Sequence, residues 1–101
     1  MVGEASAARR PVALIPLGAA ADARAQVLAH DLRKAGYAVE LGYSGNMKRR
    51  LNRANKAGAA AAVIIGDDEL AKDVATVRDM DSGEQREEPV AALVEFLAPY
   101  R

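Results

Sequence analysis

Five cations, Lys48, Arg49, Arg50, Arg53 and Lys56, crowd into one short segment with no acid among them. If that segment is a helix, Arg49, Arg53 and Lys56 follow one another along a single stripe, an arrangement able to track a phosphate backbone. The commoner reading of such residues is an ordinary solvated face whose aliphatic stems cover apolar surface. Tyr43, in the turn just before them, is placed either to stack on a base or to sit half-buried with its hydroxyl in water.

Gly66-Asp67-Asp68-Glu69-Leu70 closes an apolar run, Ala60 to Ile65, and puts three carboxylates together where a strand should end. Open α/β sheets bind ligands at that carboxyl edge. A carboxylate such as Glu69 is suited to accept hydrogen bonds from the Watson–Crick edge of guanine. Alternatively, the three acids cap a helical turn through Leu70 and favour its positive end. Arg78, inside the β-rich run Val74 to Met80, can contact an unpaired base or pair with Asp79 or with acids across a hairpin.

Other chemistries lack their residues. The chain has no cysteine and a single histidine, His30, so thiolate and histidine metal clusters are excluded. Asp67, Asp68 and Glu69 have nothing in sequence to complete a cation site, and no metal site is expected. Gly18 alone does not make a dinucleotide fingerprint, and no glycine-rich turn ends in Lys-Ser or Lys-Thr. Ser44 and Ser82 have no nucleophile elbow around them. No catalytic residue is assigned.

A chain of 101 residues fits one domain, which buries somewhat over about 60% of its unfolded surface. Half of the residues are hydrophobic but only 4% aromatic, so the core is expected to be aliphatic and no extended stacking platform is available. Net charge is zero, yet residues 1–58 hold 10 basic and 4 acidic side chains and residues 59–101 hold 4 and 10. A basic half meets an acidic half. No apolar run reaches the roughly 18 residues of a membrane span, and no signal-peptide block opens the chain. A soluble, cytoplasmic domain with no membrane partner is expected.

The elements that would position these side chains follow from pattern. Residues 1–10 read as a linker or disordered tail and residues 11–101 as the domain. Val12 to Ile15 is a buried strand ended by Pro16. Ala21, Ala25, Leu28, Leu32 and Ala35 mark a helix capped by Gly36. Ala38 to Leu41 is a second strand. Ser44 or Asn46 caps a helix whose buried face is Met47, Leu51 and Ala54 and whose end is Gly58. Ala60 to Ile65 is a central strand, apolar on both faces. Strand-helix-strand-helix-strand implies parallel pairing with right-handed crossovers. Val74 to Met80 and Gln85 to Glu88 form a hairpin about Asp81-Ser82-Gly83, and Pro89 opens a final helix with Val90, Leu93, Val94 and Leu97 inward.

Laid end to end, Leu32-Arg33-Lys34-Ala35-Gly36-Tyr37, the basic segment Asn46 to Gly58-Ala59, Gly66-Asp67-Asp68-Glu69-Leu70, and Val77-Arg78-Asp79-Met80 with Ser82-Gly83-Glu84-Gln85 resemble the C-terminal anticodon-binding domains of class II aminoacyl-tRNA synthetases. The wording at Gly42-Tyr43-Ser44-Gly45 and Asp81-Ser82-Gly83-Glu84-Gln85 is most similar to the histidyl type, and the resemblance runs from about Pro11 to Leu97. It implies a three-layer α/β/α fold, a five-stranded mixed sheet and three main helices. It also implies binding of the anticodon loop of a histidine-type tRNA, whose GUG anticodon offers two guanines. On that resemblance Glu69, Arg78, Tyr43 and Asn46 contact bases, and Lys48, Arg49 and Arg53 hold the backbone. The domain itself would need no cofactor and ligate nothing. The full-length enzyme would use ATP and Mg, and would be a homodimer, with the isolated domain a monomer. A synthetase-derived regulatory or protein-interaction domain that binds no RNA is the alternative.

Overall fold

A computed structural model of the protein describes residues 10–41 and 47–100, with Met47 described in its backbone only. Strand β1 (Val12–Pro16) is followed by helix α1 (Ala19–Lys34), β2 (Val39–Leu41), α2 (Met47–Lys56), β3 (Ala61–Ile65), a short α3 (Asp67–Lys72), β4 (Val74–Asp79) and β5 (Gln85–Pro89). The chain ends in a 3₁₀ turn (Val90–Ala92), a single α turn, α4 (Leu93–Phe96), and a second 3₁₀ turn (Ala98–Tyr100).

The five strands form one sheet in the order β2-β1-β3-β4-β5. β1 runs parallel to both β2 and β3, while β4 is antiparallel to β3 and β5 antiparallel to β4. The mixed α/β sheet agrees with the sequence expectation, and the structure supplies the partner of β5. Strand order reverses between β1 and β3, which leaves a crevice at their carboxyl ends.

β1 and β3 are buried at every position, because helices cover both of their faces. On one face Val12, Leu14, Ala61, Val63, Ile65, Ala75 and Val77 pack against Ala21, Ala25, Leu28 and Leu32 of α1 and against Val90, Leu93 and Leu97. On the other, Ala13, Ile15, Ala62 and Ile64 meet Ala54 and Ala59, with Leu51 and Met80 at the margin. Each fully buried Leu, Ile or Val contributes about 1.5–3 kcal/mol. The second face is largely alanine, so α2 seats close to the strands.

Helix α1 stops where the sequence predicted. Gly36 takes φ 99°, which lets Tyr37 N–H return to Leu32 O at 3.0 Å while Gly36 N–H reaches Arg33 O at 3.1 Å. That pair of hydrogen bonds satisfies carbonyls the helix would otherwise leave open.

The C-terminal helix departs from expectation. Pro89 does not open it; Pro89 is the last residue of β5, opposite Val74. Only Leu93–Phe96 is α-helical. A proline lacks an N–H and disfavours α geometry in the residue before it, so Pro99 ends the helix and the chain finishes in a 3₁₀ turn. The inward positions Val90, Leu93 and Leu97 are nevertheless buried as their spacing implies.

Candidate nucleic-acid interface

Helix α2 lies lengthwise across the sheet, and its two ends mark the two ends of β1. At its start Arg50 donates from Nη1 to the carbonyl of Pro16, the last residue of β1. At its finish Ala60 N–H bonds Pro11 O at 2.9 Å, just before β1 begins. The sheet side of α2 is Leu51 and Ala54. Lys48, Arg49, Arg53 and Lys56 are exposed. The Nε of Arg50 is buried without a hydrogen-bond partner among the described residues, so this arginine is committed to the sheet rather than to the outer row.

Beyond α2 the same face of the sheet is open. Arg78 stands opposite Ala62, a residue of the α2-facing core, and Thr76 opposite Ile64. Across the hairpin they face Gln85 and Glu87. Among the described residues no helix packs over Thr76, Arg78, Gln85 and Glu87, which are half-buried or exposed. Arg78 Nη1 donates to Gln85 Oε1 at 2.9 Å. Of the two pairings open from sequence, neither Asp79 nor an acid across the hairpin takes this guanidinium; an amide does, and among the described residues Arg78 forms no ion pair. Lys72 Nζ and Glu87 form a loose ion pair at 3.8 Å at the other end of the hairpin.

Glu69 sits apart from Arg78. It is the third residue of α3, and its Oε1 accepts the N–H of Gly66 at 2.7 Å, so one carboxylate oxygen caps the helix. A Cβ at Gly66 would lie 2.9 Å from that oxygen, so the flexible end of Glu69 would have to shift. β4 runs antiparallel to β3, and Arg78 therefore stands level with Ala62 while Glu69 lies beyond Ile65. Four residues of strand separate the two levels, about 13 Å. The sheet does not bring Glu69 and Arg78 to one edge; α2, about 15 Å long, spans the interval between them.

Tyr43 and Asn46, the other expected base contacts, lie outside the described residues. Asp67 and Asp68 are exposed and Glu69 is half-buried, and among the described residues no three His, Cys, Asp or Glu side chains are placed to hold a metal. His30 is exposed on α1.

Arg10, at the end of the segment expected to be a linker or tail, makes several contacts. Arg10 Nε donates to Gly58 O at 2.8 Å and Nη2 to Ala59 O at 3.0 Å. Its Nη1 and Nη2 also reach the two oxygens of Asp81 at 2.9 and 3.1 Å. The Asp81 carboxyl is held below its ordinary range by this guanidinium. Asp79 is likewise held low, first by the N–H of Ser82, then by the Tyr100 hydroxyl and the N–H of Asp81. No local pattern marks Arg10, since its partners lie 48 to 71 residues away.

Residues 11–99 match the Anticodon binding domain family. The chain belongs to that family. A histidine–tRNA ligase of Rhodospirillum rubrum is 46% identical over 99% of this chain, which spans 24% of that relative. Histidyl-tRNA synthetase of S. aureus superposes with a TM-score of 0.81 at 29% identity, covering 87% of this chain and 23% of that one. The RNA binding domain of threonyl-tRNA synthetase from Cryptosporidium parvum shares the fold, with a TM-score of 0.80 at 16% identity over 90% of this chain and 23% of the other. This anticodon binding domain thus spans about a quarter of the length of its curated relatives. Among the described residues no helix is long and apolar enough to cross a membrane.

Proposed function

We propose that this domain binds the anticodon loop of a histidine-type tRNA as part of a histidine–tRNA ligase. The observation that carries the reading is the open strip Thr76, Arg78, Gln85 and Glu87 bounded by the exposed cations of α2. Cations along a helix neutralise phosphates without reading sequence, whereas Arg78 offers fixed donors to an unstacked base. Glu69 keeps one oxygen for a guanine edge while the other caps α3. Separated as they are, Glu69 and Arg78 would contact different nucleotides, with the intervening backbone along Lys48, Arg49 and Arg53. Tyr43 and Asn46, which precede α2 in sequence, are kept as base contacts on the resemblance alone.

The amino-acid activation step, with its ATP and Mg, belongs to the parts of such a ligase outside this chain. A homodimeric, cytoplasmic enzyme goes with the same reading, and residues 11–101 are its anticodon domain, monomeric in isolation. Titration of the labelled chain with a GUG anticodon stem-loop and with a guanine-substituted control tests the proposal. Arg78→Ala and Glu69→Gln should each weaken the GUG loop by about 1–3 kcal/mol, and Arg53→Ala should weaken both RNAs alike. Equal affinity for the two loops would overturn base reading and favour a protein-interaction role.

A further inference from the structure

The turn between β4 and β5 projects past the end of its neighbour. β3 pairs with β4 only as far as Ala61 opposite Asp79, with one more bond from Met80 N–H to Ala60 O at 3.1 Å. Beyond it, the turn closes on itself through Asp79 N–H to Glu84 O and Gly83 N–H to Asp79 O, both 2.8 Å. Two side chains from the two ends of the domain then fix it to the body. Arg10, ahead of β1, holds Asp81 with both arms of its guanidinium and anchors itself on Gly58 O and Ala59 O. Tyr100, in the last turn, donates its hydroxyl to Asp79 at 2.9 Å.

Arg78 and Gln85 flank this turn directly, one residue outside Asp79 and Glu84. β4 is paired to β3 as far as Asp79, whereas Gln85 lies on β5, the outer strand of the sheet, and an edge strand twists more freely than one held on both sides. The Arg78 backbone is held by Ala62, so the turn governs the Gln85 side of the pair and, through the Arg78–Gln85 hydrogen bond, where the guanidinium stands relative to the cations on α2. Arg10 grips the turn and the end of α2 at once, because Gly58 and Ala59 follow that helix.

We infer that Arg10 is a positioning residue for RNA reading, locking the Arg78–Gln85 pair at a fixed distance from α2 without touching RNA itself. The inference rests on the base-reading role proposed for Arg78. An exposed ion pair alone adds little to stability. Here the guanidinium is forked between a carboxylate and two carbonyls, and what it contributes is geometry.

A double-mutant cycle on the whole chain tests it, with the GUG stem-loop and its guanine-substituted control as probes. Arg78→Ala should lower the discrimination between the two loops about tenfold. Arg10→Ala, and separately Asp81→Ala, should lower it by a factor approaching that one, and should lower it no further in the Arg78→Ala background. The salt dependence of binding should keep its slope in Arg10→Ala, since no phosphate contact is lost. Amide exchange at Gly83 and Asp79 should quicken in the same variant. Unchanged discrimination in Arg10→Ala, or an equal loss for both loops with a shallower salt slope, would overturn the inference. If Arg78→Ala itself changes nothing, base reading by Arg78 has failed, and the inference falls with it even where the exchange data show the turn loosened.

Discussion

The Tyr100 hydroxyl closes a contact with Oδ2 of Asp79 at 2.9 Å, tying the last turn of the domain to the end of β4. Asp79 uses its other oxygen for the N–H groups of Asp81 and Ser82, at 2.9 and 3.0 Å. One carboxylate thus organises the hairpin turn and binds the C-terminal segment to it. Burial, and then this hydrogen bond, raise the Tyr100 hydroxyl above its ordinary pKa.

Replacing Tyr100 by Phe should therefore shift Asp79 upward without returning it fully to the ordinary value of 3.8, because the two backbone donors remain. A carbon-detected NMR titration of the Asp79 carboxyl reads the change directly. The melting temperature should fall modestly, since the ring still packs. An unaltered Asp79 titration would show that Tyr100 is not its partner in solution.

Asp79 and Asp81 both titrate below the ordinary carboxylate range when folded. Carboxyls depressed by folding stabilise the native state above their unfolded pKa, and that stabilisation is lost as pH falls through the folded values. The melting temperature should consequently drop as the pH is taken from about 5 to below the unfolded aspartate value of about 3.9. Asp81→Asn should flatten part of that fall, and so should raised salt, because the Arg10 partner is exposed. Thermal melts across pH and ionic strength check both effects.

Glu69 has a structural duty that is separable from any charge it presents. Glu69→Gln keeps a carbonyl oxygen for the Gly66 N–H and should change stability little, whereas Glu69→Ala removes the cap and should cost about 0.5–2 kcal/mol. Gly66→Ala should cost less than Glu69→Ala, because its Cβ need only shift the flexible end of Glu69. Urea unfolding of the three variants ranks them. A Gln variant as unstable as the Ala variant would mean that the charge, not the hydrogen bond, holds α3.

Such residues show what local pattern can carry. β1, α1 and β3 were legible because continuous apolar strands and a four-and-three helical spacing arise from the same burial that forms them. Capping by Glu69 was visible as one of two alternatives, since its partner is three residues away. The separation of Glu69 from Arg78 was not, because both stand near strand ends in sequence and only the antiparallel course of β4 carries Arg78 to the opposite end. The grip of Arg10 was likewise invisible. It depends on the closure of the whole sheet, which brings together residues at opposite ends of the chain.

Ala62 connects the core to the proposed reading surface. It is fully buried between β3 and α2, and it stands opposite Arg78 in the ladder. Its neighbours on that face are Ala13, Ala54 and Ala59, so a larger side chain has nowhere to go except against the helix. Ala62→Leu should cost about 1–3 kcal/mol through overpacking, while Ala23→Leu on the exposed side of α1 should stay within about 0.5 kcal/mol. The same displacement lifts α2 and its cations away from Arg78. At a temperature where Ala62→Leu is still folded, its affinity for the GUG stem-loop should fall more than that of the Ala23 variant, with denaturant melts and RNA titration run on the same samples. A destabilised Ala62 variant that binds RNA with full affinity would show that the spacing between α2 and the hairpin does not govern recognition.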